Sequence, residues 1–309
     1  MAEASAASAA LPRIGYLGPE GTFTEEALLG SGREGAFRPV GLTSIYETVM
    51  ALRAGDIGWA VVPIENSLEG SISATLDLLA GEAADVEIVG EALLRVRHSL
   101  IASSPVDVGE IDTVLTHPAV PGQCSRFLRL ELPGARVLPA SSTAEAVKMV
   151  AGDPGPGRAA LGTALAASIY GGTIVREGVQ DRDDNETRFV WLARAGERRE
   201  PPMRERQGST WRTSLLFWGS GAEHSGWLVR CLQEFAVRDI NLTKIESRPR
   251  RAELGNYVFF ADLAARGSEE RVREALGGLG EICETVRVLG SYPAAEAPVR
   301  AVPATAPPP

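Results

Sequence analysis

The segment Asp183-Asp184-Asn185-Glu186-Thr187-Arg188-Phe189 concentrates groups that could do chemistry. Two acids and an amide form a turn-like stretch, and Thr-Arg-Phe leads into the apolar run Val190-Trp191-Leu192-Ala193. A hydroxyl, a permanent cation and an aromatic ring then stand at the mouth of a strand, where they could hold a small organic anion. Pro63-Ile64-Glu65-Asn66-Ser67-Leu68-Glu69-Gly70 sets a carboxyl, an amide and a hydroxyl after a buried apolar run, where a helix is expected to begin. Orphan N–H groups at a helix start favour an anion, and capping by Asn66 or Ser67 is the plain alternative. Thr116-His117-Pro118-Ala119-Val120-Pro121-Gly122-Gln123-Cys124 repeats the design, with Gln123 near the start of a helix over 125–132. His117 reads equally as a turn-former or a base, and Cys124 as a small buried residue. Ala140-Ser141-Ser142-Thr143-Ala144-Glu145 is a hydroxyl cluster at another helix start.

These groups need a frame. Arg13–Leu17, Trp59–Ile64 and Thr113–Thr116 read as strands, each followed by a polar turn and a helical pattern. Thr22 with Glu25, Ser44 with Glu47 and Ser142 with Glu145 are capping-box pairs that open the helices. The result is an open α/β arrangement, which binds ligands at the carboxyl ends of its strands. Glu65, Asn66, Thr116, Gln123 and Thr187 all fall at such ends of one sheet system. Beyond residue 211 the pattern changes to β-α-β-β-α-β: strands at 213–218, 241–247, 257–263 and 285–289, helices at 224–237 and 269–279. That is a ferredoxin-like unit. The expected division is a tail over 1–12, a large α/β domain over 13–194, a linker over 195–210, the small domain over 211–291 and a disordered Pro/Ala-rich tail over 292–309.

Composition limits the functions open to this frame. With 309 residues, 44% hydrophobic and 23% charged, the chain has the profile of a globular protein of two domains. A net charge of −9 argues against a general nucleic-acid surface. No apolar run is long enough to span a bilayer, and the Ala/Ser-rich start lacks the basic and hydrophobic parts of a signal peptide. Cys124, Cys231 and Cys283 are odd in number and far apart, which suits neither a disulfide framework nor a zinc site and points to a reducing cytoplasm. The three His show no metal-ligand spacing, and Gly18-Pro19-Glu20-Gly21 lacks the Gly-Lys-Ser/Thr ending of a phosphate loop. No metal and no organic cofactor is expected.

Taken in order, these segments resemble the prephenate dehydratases. The matching stretches are Gly15-Tyr16-Leu17-Gly18-Pro19-Glu20-Gly21-Thr22-Phe23, Val62-Pro63-Ile64-Glu65-Asn66-Ser67, Thr116-His117-Pro118 with Gln123-Cys124, and Asn185 with Thr187-Arg188-Phe189. The small domain resembles the ACT regulatory domain that follows in this family. Gly226-Trp227-Leu228-Val229 stands where the family has Gly-Ala-Leu-Val, and Glu246-Ser247-Arg248-Pro249 matches its phenylalanine-site signature. The resemblance implies a two-lobed catalytic domain like the periplasmic binding proteins, with the site in the cleft. It implies the reaction prephenate → phenylpyruvate + CO2 + water in L-phenylalanine biosynthesis. It also implies L-phenylalanine as an allosteric effector, bound by Gly226, Trp227, Leu228, Val229, Asn241, Glu246, Ser247, Arg248 and Pro249 at a seam between subunits of a dimer or tetramer. Trp227 departs from the small residue of the family motif, and Thr116 from the usual Ser. No mutase-like helical segment precedes Arg13, so a monofunctional enzyme is expected.

On that reading Thr187, Glu65, Asn66 and Gln123 are the catalytic candidates, and Arg188, Phe189, Thr116, Ser67, Ser142 and Thr143 belong to the substrate site, Phe189 mainly as core packing that anchors its strand. Hydroxide must leave as water. Thr187 is a poor acid and serves as a hydrogen-bond donor to the leaving oxygen within a relay, or Glu65 supplies the proton. Arg188 is the candidate partner of the pyruvyl carboxylate, which persists, with a structural ion pair as the equal alternative, while the departing carboxylate should stay unpaired. An arogenate dehydratase and a non-catalytic amino-acid sensor are the other readings.

Overall fold

The computed structural model describes residues 11–153, 155–205, 210–219, 221, 224–250 and 256–299. Of the tails expected at 1–12 and 292–309, residues 1–10 and 300–309 lie outside them. The first lobe runs β1 (Arg13–Leu17), α1 (Phe23–Ser31), β2 (Arg38–Leu42), α2 (Ile45–Ala54), β3 (Trp59–Asn66), β4 (Gly70–Ser71), α3 (Ser73–Ala80) and β5 (Val86–Arg95). The second runs β6 (Ser99–Ala102), β7 (Thr113–Thr116), α4 (Val120–Gln123), α5 (Ser125–Glu131), β8 (Arg136–Pro139), α6 (Thr143–Gly152), β9 (Arg158–Gly162), α7 (Ala164–Tyr170) and β10 (Thr173–Arg176). The chain then returns to the first lobe as β11 (Glu186–Arg194). The last block is β12 (Trp211–Trp218), α8 (Trp227–Ala236), β13 (Leu242–Pro249), β14 (Tyr257–Leu263), α9 (Glu270–Ile282) and β15 (Thr285–Pro293).

Two sheets, not one, make the α/β block expected over 13–194. The first has the order β2-β1-β3-β11-β5 with β4 on β3, and the second β10-β6-β9-β7-β8. Residues 96–98 and 177–185 cross between them, tied by Val96 N–H to Asn185 O at 2.8 Å and Val179 N–H to His98 O at 2.9 Å. The lobes also meet where Thr163 Oγ donates to Gly21 O at 2.6 Å. Gly21 has φ +85°, and a Cβ there would run into Ala166 of α7, so only glycine lets the loop come this close.

Local signals placed the helices. Thr22, Ser44 and Ser142 each accept the N–H three residues on, from Glu25, Glu47 and Glu145. Asn66 does not cap a helix as expected. Its Oδ1 accepts Leu68 N–H and Glu69 N–H, both at 2.9 Å, to close the β3–β4 hairpin, and α3 starts only at Ser73.

The third sheet, β13-β14-β12-β15, is wholly antiparallel with α8 and α9 on one face. Its other face is not free. Leu216, Val258, Phe260, Leu289 and Tyr292 pack into one core with Leu52, Ile64, Leu76, Ile88 and Val190 of the first lobe. The expected linker and tail are docked too. Met203 packs over Gly90, and Arg204 N–H bonds Ser31 O at 2.8 Å. After β15, Ala295 N–H bonds the Glu91 carboxylate at 2.7 Å and Val299 N–H bonds Leu93 O at 2.7 Å, so residues 294–299 are not a free tail. Among the described residues no helix is long and apolar enough to cross a membrane.

One buried group makes stability depend on pH. Glu26 in α1 is only 8% exposed, and burial pushes its carboxyl up from the ordinary 4.5 to about 7. Between those values the unfolded chain loses this proton while the folded chain keeps it, so stability falls as pH rises. The loss is complete above about pH 7 and amounts to at most about 3 kcal/mol. Glu26→Gln should unfold at higher urea than wild type at pH 8 and show no advantage near pH 4. Equal midpoints at pH 8 would refute this.

Candidate active site

A cavity of about 380 Å³ lies between the lobes. The ends of β1 and β3, the starts of α1 and α6, and the turn after β7 all face it through Gly18, Thr22, Asn66, His117, Ser142 and Thr143. Thr187, Gln123, His98 and Glu69 add to the polar lining, with Thr24, Thr43 and Ser141. Strand ends from both sheets therefore meet at one place, as an open α/β architecture requires.

Asn66 and Thr187 are paired neighbours on adjacent strands, β3 and β11. Their polarity follows from two backbone amides. Leu68 N–H and Glu69 N–H can only donate, so the Asn66 atom they meet is the oxygen. The other end of the amide must then donate, at 2.9 Å to Thr187 Oγ and at 2.8 Å to Asn185 Oδ1. Asn185 consequently turns its own NH2 to Gln123 Oε1 at 3.0 Å. The same oxygen meets His98 Nε2 at 3.1 Å, so that nitrogen carries the hydrogen. Burial pushes the His98 pKa down, against the hydrogen bond to Gln123, and the ring is neutral at pH 7 with a bare Nδ1. Gln123 then directs its NH2 at Glu69 Oε1, 2.7 Å away.

Thr187 Oγ thus accepts from Asn66 and keeps its own hydrogen for something else in the cleft. Asn66→Asp tests the direction. A carboxylate still accepts from Leu68 and Glu69, but the Thr187 hydroxyl must now donate to it. We expect kcat to drop roughly 10²-fold, and the melting temperature to fall as well, because Asn185 Oδ1, 2.8 Å away, then faces a carboxylate oxygen. A variant with wild-type kcat would sink this assignment.

Several expected site residues lie elsewhere. Side chains alternate across a strand, so Glu65 and Arg188, next to Asn66 and Thr187, emerge on the opposite face. There Arg188, 6% exposed, pairs with Asp262 at 2.8 Å, Glu65 at 3.1 Å and Glu91 at 3.3 Å. Burial opposes the guanidinium charge, and Asp262, Tyr292, Glu91 and Glu65 outweigh it, so its pKa is raised. Glu65 also pairs with Lys244 at 3.3 Å. Neither residue lines the cleft, which corrects the carboxylate-binding role for Arg188 and the acid role for Glu65. Thr116 is buried and spends its hydroxyl on Leu161 O at 2.9 Å. Phe189 is core, packed with Tyr16, Leu28 and Trp191. Ser67 accepts Glu186 N–H at 3.0 Å outside the cavity. Cys124 sits in the second lobe's core with its thiol pushed up to about 12 by burial and by Asp181. His117 forms the turn, its Nδ1 accepting Ala119 N–H at 3.3 Å, and still lines the cleft.

His98 and Glu69 were missed as site residues, and Asn185 was read only as part of a motif. His98 and Asn185 lie on the two crossing segments, which have no helix or strand pattern to mark them. Among the described residues lining the cleft there is neither Lys nor Arg.

In the C-terminal block, Gly226 takes φ +80° at the start of α8. Trp227 is buried against Phe217 and Phe259 and donates Nε1–H to Ile282 O at 3.2 Å. Val229 stays 59% exposed. Glu246 meets Lys244 at 3.4 Å and the hydroxyl of Ser71. Arg248 meets Asp77 at 3.1 Å and Ser73 at 2.7 Å. The two charged members of the expected effector signature therefore face the first lobe, whereas Ser247 and Pro249 are exposed.

A family model described as prephenate dehydratase matches residues 14–197. A prephenate dehydratase of Mycobacterium sp. (strain KMS) is 42% identical, over 97% of this chain and 92% of that protein. Among solved structures, the prephenate dehydratase of Arthrobacter aurescens, in complex with L-Phe, is 35% identical with a TM-score of 0.81, over 95% of this chain and 94% of that one. A structure described as GqqA, a novel type of quorum quenching acylase, is 26% identical with a TM-score of 0.78, over 92% and 98%.

Proposed function

The chain belongs to the prephenate dehydratase family, and we propose that it converts prephenate to phenylpyruvate, CO2 and water at the Thr187 end of the cleft, under control by L-phenylalanine. The observation that carries the site assignment is the hydrogen bond from Asn66 Nδ2 to Thr187 Oγ, which leaves the Thr187 hydroxyl free to donate into the cleft. The substrate ring lies in the cleft with its 4-hydroxyl against Thr187. Electrons of the breaking C–CO2 bond enter the ring, the C–O bond breaks, and the leaving oxygen is stabilised by the Thr187 hydrogen bond. With Glu65 turned away, Glu69 is the carboxyl side chain among the cleft-lining residues, and proton delivery runs through the cleft rather than from the far face. Gln123 and Asn66 orient the substrate.

A cleft without Lys or Arg suits this chemistry. A cation on the departing carboxylate would stabilise the ground state more than the transition state. The carboxylate that persists is instead met by the N–H groups and hydroxyls at the start of α6, Ser142 and Thr143.

For regulation, the relative from Arthrobacter aurescens was solved in complex with L-Phe. Here Gly226–Val229 and Glu246–Pro249 are the proposed effector contacts in an ACT domain, which joins subunits into a homo-oligomer. Glu246 and Arg248 also touch the first lobe, so an effector that moved β13 would be felt at β4 and α3.

The purified full chain should release phenylpyruvate from prephenate and should convert arogenate to phenylalanine much more slowly. Turnover of arogenate alone would shift the substrate assignment. Turnover of neither, with binding retained, would mark a sensor. Calorimetry should show saturable L-phenylalanine binding that lowers turnover, and its absence removes the regulatory proposal while leaving the catalytic one.

A further inference from the structure

Cys231 and Cys283 are 52 residues apart in sequence, yet their sulfurs stand 3.7 Å from each other in the C-terminal block. Cys231 lies in the second turn of α8 and is fully buried, whereas Cys283, at the end of α9, is partly exposed. Both are free thiols. The two elements are already held in register at this point. Trp227, one turn before Cys231, hydrogen-bonds the carbonyl of Ile282, the residue before Cys283. A Cβ on Gly221 would collide with the same indole, so the backbone closes over it. Little rearrangement separates the thiol pair from bonding distance, because a disulfide needs about 2.05 Å between sulfurs.

We propose that Cys231 and Cys283 are a redox-modification site, closed to an intramolecular disulfide by a small peroxide. One sulfur of the pair, as its thiolate, attacks the peroxide O–O bond, giving a sulfenic acid and releasing water or an alcohol. The other thiol then attacks that sulfur, forming the S–S bond and expelling water. Two thiols are oxidised by two electrons, and one peroxide is reduced. The product pins the start of α8 to the end of α9, beside the Gly226–Val229 turn, and does not depend on what that turn binds. Cys124 belongs to the second lobe's core and has no part in it. A small dithiol reverses the reaction.

The test uses the reduced full chain treated with hydrogen peroxide at a few equivalents. We expect the intact mass to fall by about 2 Da as two S–H hydrogens are lost, and the thiol count under denaturing conditions to drop from three to one. Peptide mapping should join the fragments carrying Cys231 and Cys283, and dithiol treatment should restore three thiols. The oxidised form should melt higher than the reduced form. Cys283→Ser should abolish both the mass change and the melting difference, and Cys124→Ser should keep both. Three remaining thiols after treatment, a cross-link through Cys124, or a disulfide only between chains would each overturn the proposal.

Discussion

Thr187→Ala is expected to lower kcat by roughly 10²–10³-fold, the usual cost of removing one donor aimed at developing charge. The corresponding loss is about 3–4 kcal/mol of transition-state stabilisation. KM should change little, because the hydrogen bond to the leaving oxygen strengthens only as the C–O bond breaks. The fold should survive: Asn66 loses one acceptor, Thr187 Oγ, but retains its partners at Leu68, Glu69, Asn185 and Glu186. Thr187→Ser keeps the hydroxyl and should keep most of the rate, with some loss from the freer rotor. Steady-state assays of phenylpyruvate formation decide it. An alanine variant with wild-type kcat would move the donor elsewhere in the cleft. His98→Gln does not serve as a substitute test, because that change disturbs Gln123 and Asn185 together.

Arg188→Met should destabilise the protein by about 3–5 kcal/mol, the scale for leaving buried carboxylates without their cation. The guanidinium holds Glu91, which is fully buried, and Asp262, which is 5% exposed, at the joint between the first lobe and the C-terminal sheet. Arg212 shares both carboxylates but lies farther from Asp262, at 3.5 Å against 2.8 Å, so it compensates only in part. Urea unfolding measures the effect. KM for prephenate, measured where the variant is folded, should stay within a fewfold of wild type. The opposite result, unchanged stability with a large rise in KM, would return Arg188 to the substrate. Adding Asp262→Leu should recover part of the lost stability, since the two residues share one network.

Much of the frame was legible because it is written locally. A cap acts within four residues, and Thr22, Ser44 and Ser142 sit where their helices begin. The βαββαβ order of the last block follows from runs of period 2 and 3.6. The cleft itself was half legible. Asn66, Gln123, Thr187, Ser142 and Thr143 stand at strand and helix ends, and all five line it. Thr116 and Phe189 carry the same kind of signal but are buried, since a strand end shows a hydroxyl or a ring without showing which neighbour covers it. His98 lies on a crossing segment, and only the return of the chain after more than eighty residues brings Gln180 and Asn185 beside it.

What the sequence determined by itself is what short-range physics decides: where helices start, which runs are strands, and that side chains along a strand alternate between two faces. Which of those faces looks into the cleft was decided by tertiary structure alone. The pairing of β3 with β11 joins residues about 120 positions apart and puts Asn66 against Thr187 and Glu65 against Arg188. The C-terminal sheet then covers the second pair with Asp262 and Lys244, turning it into a buried joint. A shift of one residue in that register would have set Arg188 or Glu186, not Thr187, against Asn66, so register, more than residue type, put Thr187 and Asn66 together on the cleft side.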